Sequence, residues 1–332
     1  MRKEKEAQKK RNEKDKMNIV VTGATGFLGK EIVGELLRSG HRVTVLTRDV
    51  TKAKARMDSR AEPVAWGEGT SESWKKSVSE SDAVIHLAGE SVAGERWTPE
   101  YKRKLRSSRV TPTRALVNAI AEGEHKPKVL ISASAVGFYG DRKEELLTEK
   151  SAPGTDFLAE VCVEWEREIS RVAEFGVREV RMRIGIVLGE EGALAQMLKP
   201  LPLPFNPYKL GLGGPMGSGR QWVPWIHVSD IVGLFLWALQ MESVHGAVNA
   251  VSPNPVRNAE FARAIGKVYH RPAVIPVPAF ALKAILGEFA ESLLGGQRAV
   301  PAVAESLRYR FRYEELETAL QSLLSEEREE ED

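Results

Sequence analysis

Short apolar runs alternate with amphipathic stretches along most of the chain. Runs rich in Val, Ile and Leu predict strands at residues 18–22, 41–46, 63–66, 82–86, 128–132 and 178–184. Apolar residues three and four positions apart predict helices over 27–37, 99–122 and 155–175. Because strands and helices alternate, the pattern predicts an α/β protein whose doubly wound parallel sheet is covered by helices on both faces.

A glycine-rich turn joins the first strand to the first helix. Residues 23–29 read Gly-Ala-Thr-Gly-Phe-Leu-Gly, so the glycines have GxxGxxG spacing. Glycines permit a tight turn and let a pyrophosphate approach the backbone, where the helix N-terminus offers free N–H groups. The strand, turn and helix in this order therefore predict a dinucleotide site in a Rossmann fold.

Polar or glycine positions follow four of the predicted strands. These are Gly23, Thr47 with Arg48, residues 87–89 and residues 132–134. Since ligands of such sheets sit outside the carboxyl ends of the strands, the four positions predict one cleft. Arg48 stands where an NAD site usually has an acid, and a guanidinium pairs well with a 2′-phosphate. NADP(H) is therefore favoured over NAD(H), the alternative being that Arg48 is only a solvated cation.

The second half of the chain predicts a substrate side. Residues 192–224 are rich in Gly and Pro, which is typical of a lid or pocket wall, and Arg220, Trp222 and His227 are expected to face it. Packing between domains is an equal alternative for Trp222. His227 has no partner at metal-ligand spacing, so no metal site is predicted. Asp230 is predicted to cap a helix over 231–241, and helices over 278–294 and 313–324 predict a smaller, mainly helical substrate or lid domain.

Composition limits the partners. The net charge of +2 gives no reason to expect nucleic acid, and the longest apolar stretch, residues 231–239, is too short for a membrane span. The single cysteine, Cys162, excludes an internal disulfide, and we expect a reducing, cytoplasmic compartment. Residues 1–16 carry eight basic and four acidic side chains and are expected to be a disordered extension, while 325–332 form an acidic tail.

Several segments together resemble a known family. VTGATGFLG, HLAGE, SASAVGFYG and RIGIVLG are similar to segments of extended short-chain dehydrogenases/reductases, the NAD(P)-dependent epimerase/dehydratase superfamily. Residues 210–230 resemble the signature of its atypical "epimerase family protein" branch, and 275–322 resemble that branch's C-terminal domain of unknown function. The resemblance implies a Rossmann domain over 17–245, a C-terminal domain over 246–324 and an unidentified small-molecule substrate.

The same resemblance implies which residues hold the cofactor. The pyrophosphate would lie on Gly23, Thr25, Gly26, Phe27, Leu28 and Gly29. Thr47 and Arg48 would bind the adenosine phosphate, and Leu87, Ala88, Gly89 and Glu90 the ribose. Further contacts would come from Arg109, Ser132 and Val187, the last in the turn after the sixth strand.

The family's catalytic pair is missing from its expected place. Active members carry a Tyr and, four residues later, a Lys that lowers the pKa of the phenol. The corresponding positions here are Leu158 and Cys162, whereas Ser134 matches the serine that contacts substrate. Three interpretations stay open: Tyr139 supplies a displaced phenol or is structural, Cys162 is a thiolate partner or a small buried hydrophobe, or the site lacks standard hydride chemistry.

Two functions are therefore expected. One is an NADP(H)-binding epimerase or oxidoreductase with a non-standard catalytic site. The alternative is an NADP(H)-dependent regulator or interaction protein without turnover, because the tyrosine–lysine pair is missing. Relatives of this branch are linked to bacterial and plastid division, so a cell-division role is one form of this alternative.

Overall fold

A computed structural model describes residues 16–67, 69–70, 72–198 and 205–324. The predicted N-terminal extension up to residue 15, the acidic tail 325–332 and residues 199–204 of the Gly/Pro-rich segment lie outside the described residues. Among the described helices, none combines the length and apolar character that a bilayer crossing requires.

Seven parallel strands form the central sheet, which confirms the predicted doubly wound parallel sheet. They are β1 (Asn18–Thr22), β2 (Arg42–Thr47), β3 (Glu62–Ala65), β4 (Ala83–His86), β5 (Val129–Ala135), β7 (Arg178–Ile184) and β11 (Gly246–Ala250). Their spatial order is β11-β7-β5-β4-β1-β2-β3. The order reverses between β1 and β4, where doubly wound sheets open a crevice for a ligand.

Short strands pair outside this sheet. They are β6 (Leu146–Leu147), β8 (Ile186–Leu188), β9 (Trp222–Val223), β10 (Trp225–His227), β12 (Val256–Arg257) and β13 (Arg298–Ala299). β8 pairs with β10, β9 with β12 and β6 with β13. The last pair links the loop after β5 to the C-terminal region.

Twelve α-helices occur in the described residues. They are α1 (Phe27–Arg38), α2 (Val50–Arg56), α3 (Ser73–Ser79), α4 (Pro99–Glu122), α5 (Phe157–Ser170), α6 (Ala193–Leu198), α7 (Val228–Gln240), α8 (Asn258–Val268), α9 (Ala279–Leu286), α10 (Phe289–Leu294), α11 (Ala302–Ser306) and α12 (Leu316–Leu324). α1 and α7 pack on one face of the sheet, while α3, α4 and α5 pack on the other. This two-sided covering is the layer arrangement that the sequence predicts.

The structure changes three local predictions. β5 runs to Ala135, three residues beyond its predicted end, so Ser132 and Ser134 lie inside the strand. The helix predicted over 278–294 breaks into α9 and α10 at Gly287, whose φ of 63° ends the first helix. β11 is an edge strand of the central sheet, so a domain boundary before residue 246 would divide that sheet.

The predicted cap of α7 is also wrong. The helix begins at Val228, and the ring of His227 accepts the N–H of Ser229. Asp230 lies in the first turn, where its carboxylate accepts the backbone N–H groups of Arg312 and Tyr313. The acid therefore fastens the C-terminal segment to α7 instead of capping the helix.

Candidate functional site

Two turns meet at the switch point of the sheet. Gly23, at the end of β1, has φ of 69°, and a side chain there would lie 2.7 Å from the backbone of Leu87, at the end of β4. A Cβ on Gly29 would overlap the Gly23 carbonyl oxygen. Gly23 is therefore required by the contact between the two turns, and Gly29 by the contact between the first turn and α1.

The N-terminus of α1 faces this turn. Its N-cap is Gly26, and no side chain caps the helix, so the first-turn N–H groups stay available to a ligand. The Phe27 ring fills the space above Gly189 and Gly192, since a Cβ on Gly189 would overlap it. Val187 lies inside β8, paired with Ile226, and not in a turn as predicted.

A basic and an acidic residue, Arg48 and Asp49, follow the end of β2. Thr47 is the last residue of the strand, and its hydroxyl accepts the N–H of Asp49 at 3.2 Å. The Asp49 carboxylate accepts the N–H of Lys52 at 2.9 Å and caps α2. Arg48 is exposed, and within the described ranges it forms no ion pair. This strand end therefore presents a guanidinium without an ion-pair partner in the described ranges, beside a carboxylate that caps α2.

A buried hydrogen-bond chain lies beneath the two turns. The Thr22 hydroxyl lies 2.7 Å from His86 Nδ1, and His86 Nε2 lies 2.9 Å from the Thr113 hydroxyl on α4. Thr113 also receives the indole N–H of Trp165 and donates to the carbonyl of Arg109. The chain joins β1, β4, α4 and α5.

Counting donors assigns the His86 tautomer. Thr113 donates its single hydroxyl hydrogen to the Arg109 carbonyl, so its oxygen must accept a hydrogen bond from His86 Nε2–H. His86 Nδ1 then accepts from Thr22, whose oxygen is free to accept the N–H of Leu87. Burial lowers the pKa of His86 to about 4, which agrees with a neutral ring. His86 was not predicted as a site residue, although it is a polar side chain at the end of an apolar strand.

Arg109 supports the turn after β4 from below. Its guanidinium donates to the carbonyl of Glu90 at 2.8 Å and to that of Leu105 at 3.0 Å. The side chain also lies against Gly89, where a Cβ would be 3.4 Å away. Burial lowers the pKa of Arg109. Its hydrogen bonds thus hold the 87–90 turn in place.

The predicted catalytic serine belongs to a buried network. Ser134 is 3% exposed, and its hydroxyl donates to Glu166 Oε1 at 2.7 Å. Both carboxylate oxygens of Glu166 also accept from Arg183, each at 2.9 Å. Arg183, on β7, also donates a hydrogen bond to the Tyr139 phenol oxygen at 2.9 Å. Ser134 and Tyr139 therefore meet through Arg183 and Glu166.

The far end of this network reaches the C-terminal region. The Tyr139 phenol donates to the Asn249 side chain at 2.6 Å, and Asn249 donates to the carbonyl of Val300. Glu149 Oε1 accepts the N–H groups of Asn249 and Val303. These contacts were not foreseen, because residues from the segment after β5, from β11 and from the C-terminal region come together only in the fold.

Burial makes both titratable catalytic candidates poor acids. Burial is the main cause that raises the pKa of Tyr139 to about 12, although Arg183 opposes the shift. Burial and the Glu166 carboxylate raise the pKa of Cys162 to about 12, so the thiol stays protonated. Cys162 packs with Val136 and Phe138 in an apolar cluster.

Leu158 lies in an aromatic cluster. Its neighbours are Trp97, Phe157 and Phe289, and the Trp97 ring centroid is 5.4 Å from Phe157 and 5.5 Å from Phe289. Gly137 lies beside it, since a Cβ there would be 3.5 Å from the Leu158 Cβ. The surroundings of this position are thus apolar.

A cavity of about 430 Å³ opens beside Tyr139. Residues 139–142 and 153–156 line it. Trp222 is not part of this lining: its ring centroid lies 4.0 Å from the Arg257 guanidinium and 4.7 Å from that of Arg298, and its N–H donates to Glu144. Arg220 is exposed on the same loop.

The prediction that His227 faces the substrate is wrong. Its ring is 4% exposed, stacks on Tyr313 with centroids 4.0 Å apart, and lies 3.3 Å from the Ser322 hydroxyl. Burial lowers its pKa to about 4. His227 therefore joins α7 to α12, and the described residues contain no group of three potential metal ligands.

Comparison with known proteins identifies the family. The sequence model of the NAD dependent epimerase/dehydratase family matches residues 19–250. The chain belongs to this family. A domain of unknown function, DUF1731, matches residues 277–323.

Individual relatives of this epimerase/dehydratase chain span almost its whole length. It is 42% identical over 310 residues to the chloroplastic SDR39U1 homolog of Arabidopsis thaliana, covering 93% of this chain and 87% of that protein. It is 40% identical to the epimerase family protein YfhF of Bacillus subtilis, covering 93% and 99%. A crystal structure of human SDR39U1 with NADPH matches with a TM-score of 0.81 and 31% identity, covering 92% and 99%.

Proposed function

We propose that the protein binds NADP(H) at the switch point of the sheet, with the pyrophosphate over residues 23–29. The glycine cradle formed by residues 23–29 supports this fit, because a side chain at Gly23 or Gly29 would collide with neighbouring backbone and displace the turn that faces the N-terminus of α1. The uncapped N-terminus of α1 adds N–H groups and a partial positive charge. Membership of an NAD dependent family and the NADPH in the human relative's structure support the same ligand.

Arg48 carries the preference for the 2′-phosphate. It is exposed at the end of β2, while the acid beside it, Asp49, is committed to the cap of α2. An acid would repel a phosphate and hold the ribose hydroxyls of NAD, whereas a free guanidinium pairs with a phosphate in two hydrogen bonds. The proposed NADP(H) specificity rests on one observation: Arg48 is exposed, while the carboxylate of Asp49 caps α2.

The site also differs in its chemistry from the tyrosine-based family scheme. Bound NADPH would supply a hydride. A second group is needed to donate or accept the proton that accompanies the hydride transfer. Leu158 has no proton to give, and the protonated, buried Cys162 cannot lower the pKa of a phenol. We infer that turnover of a small substrate, bound beside residues 139–142, does not use a tyrosine–lysine pair.

Isothermal titration calorimetry with NADPH and NADH tests the cofactor proposal. Arg48→Ala should weaken NADPH binding by about 10- to 100-fold, the value of a charge-assisted hydrogen bond, and leave NADH binding unchanged. Arg42→Ala is the matched control, because Arg42 is exposed at the opposite end of β2. Absence of binding of either nucleotide to the wild type would refute the proposal.

Nucleotide-dependent regulation without turnover is the second candidate function. The observation that favours it is that Ser134 and Tyr139 both donate their hydroxyl hydrogens within the buried network. Single-turnover absorbance of bound NADPH against a panel of carbonyl compounds discriminates the two. Nicotinamide oxidation supports the enzyme, and tight binding with no oxidation across the panel supports the regulator.

A further inference from the structure

One segment of the C-terminal region connects two loops at the carboxyl-end edge of the sheet. We call residues 287–299 the strap; it contains helix α10 (Phe289–Leu294) and strand β13 (Arg298–Ala299). The first end of the strap contacts the loop after β4, and the other end contacts the loop after β5. Because β4 and β5 are neighbours in the sheet, the strap spans the space between these two loops.

The first end of the strap is held by an ion pair and by aromatic contacts. Glu288 Oε1 lies 2.6 Å from Lys102 Nζ, near the start of α4. The Phe289 ring centroid lies 5.5 Å from that of Trp97, in the loop after β4, and Trp97 lies 5.4 Å from Phe157, the first residue of α5. The partly buried Phe289 side chain therefore packs where the loop after β4 meets the start of α5.

The other end is held by hydrogen bonds to the loop after β5. The Gln297 side chain donates to the carbonyl of Gly140 at 3.1 Å, and the N–H of Gly296 donates to Asp141 Oδ1 at 3.4 Å. A Cβ on Gly296 would lie 2.5 Å from the backbone nitrogen of Trp222, so a glycine is needed for this close approach. Since Gly140 and Asp141 line the 430 Å³ cavity, the strap lies against one wall of that cavity.

The strap crosses the half of the cleft that the nicotinamide would occupy. In the proposed binding mode the pyrophosphate lies over residues 23–29, and the 2′-phosphate lies at Arg48, on the β2 side of the switch point. The strand order β5-β4-β1-β2 then leaves the ends of β4 and β5 for the other half of the dinucleotide, because such a ligand extends to both sides of the switch point. The loops that the strap connects follow these same two strands.

We propose that the strap covers the nicotinamide end of bound NADP(H) and shields it from solvent, with Phe289 as its main apolar side chain. The inference rests on the proposed function, because it requires a dinucleotide in the cleft. Excluding water protects a reactive intermediate or cofactor from side reactions and strengthens the electrostatic contacts inside the site. The C-terminal domain of unknown function thereby completes the cofactor site that the Rossmann fold begins.

Acrylamide quenching of NADPH fluorescence tests this proposal with the full chain. Under conditions in which all NADPH is bound, the wild-type protein should quench less readily than free NADPH does. In Phe289→Ala the quenching constant should rise towards that of free NADPH, while the NADPH dissociation constant stays within about twofold. Phe280→Ala is the matched control, because Phe280 lies on α9 outside the strap and is 77% exposed; it should protect NADPH as the wild type does.

A second variant tests the other end of the strap. Gln297→Leu removes the hydrogen bond to Gly140 and keeps the aromatic contacts of Phe289, and it should also raise the quenching constant. Unfolding curves that match the wild type show that each variant keeps its fold, and if Phe289→Ala does not, Gln297→Leu decides.

The outcomes separate this proposal from the cofactor proposal. NADPH that binds to the wild type but is quenched as readily as free NADPH overturns the shielding and leaves the cofactor proposal standing. Full protection in a folded Phe289→Ala variant also overturns the shielding. A wild-type protein that does not bind NADPH overturns both proposals.

Discussion

The Ser134 hydroxyl is 2.7 Å from Glu166 Oε1 and donates its hydrogen to it. The resemblance to the family implies that this serine contacts the substrate. In this structure its hydroxyl donates to the buried Glu166 carboxylate, which also accepts two hydrogen bonds from Arg183. The serine thus completes an ion-pair network between β5, α5 and β7.

Removing this hydroxyl should change stability more than ligand binding. We expect Ser134→Ala to lower the free energy of unfolding by about 1–3 kcal/mol, since a hydrogen bond to a charged group is lost. The NADPH dissociation constant should stay within about twofold. Urea unfolding and calorimetry measure the two quantities. A large loss of NADPH affinity at unchanged stability would return Ser134 to the binding site.

The Arg183–Glu166 pair should dominate the stability of this region. Both side chains are about 95% buried, so Arg183→Met leaves a buried carboxylate and should cost about 3–5 kcal/mol. Arg183→Met/Glu166→Met should recover part of that loss, because the buried carboxylate is removed with its partner and Arg181 keeps its ion pair with Glu179. Lys76→Met is the control: its pair with Glu80 is exposed and should contribute less than about 1 kcal/mol. Equal effects at the two sites would contradict the argument.

The local parts of the fold were predictable from the sequence. β1, the glycine turn and α1 follow each other within 21 residues, and each is encoded by its own periodicity or by glycine chemistry. The parallel sheet follows from the repetition of such units. These features depend on neighbours in the sequence, which a linear pattern records.

The buried polar contacts were not predictable in the same way. Asp230 has the residue type of a helix cap, yet its partners are Arg312 and Tyr313, more than 80 residues away. His227 takes the cap because the chain enters α7 three residues earlier than the apolar pattern indicates. Such pairings are set by tertiary packing, which overrides local preference.

His86 should make the protein less stable in mild acid. Its pKa in the folded state is about 4, below the value of 6.5 of an ordinary histidine, so the unfolded chain binds more protons between these values. Stability should therefore fall as the pH drops from about 6.5 to 4, by about 2–3 kcal/mol from this residue alone. Urea unfolding across this range measures the slope.

The slope should flatten in His86→Asn. His125→Asn is the matched control, because His125 is exposed and should leave the curve unchanged. If His86→Asn kept the wild-type slope, the acid sensitivity would belong to other groups, and the neutral hydrogen-bond chain from Thr22 to Thr113 would lose its support.

Two glycines of one helix should respond in opposite ways to the same substitution. A Cβ on Gly29 would overlap the Gly23 carbonyl oxygen, whereas a Cβ on Gly34 meets no atom within 4 Å. Gly29→Ala must therefore push the turn away from α1 and should weaken NADPH binding by about tenfold or more. Gly34→Ala should stabilise the protein by about 0.5–1 kcal/mol, because alanine is the better helix former. Calorimetry and thermal unfolding of both variants measure this, and wild-type NADPH affinity in Gly29→Ala would show that the cradle does not hold the nucleotide.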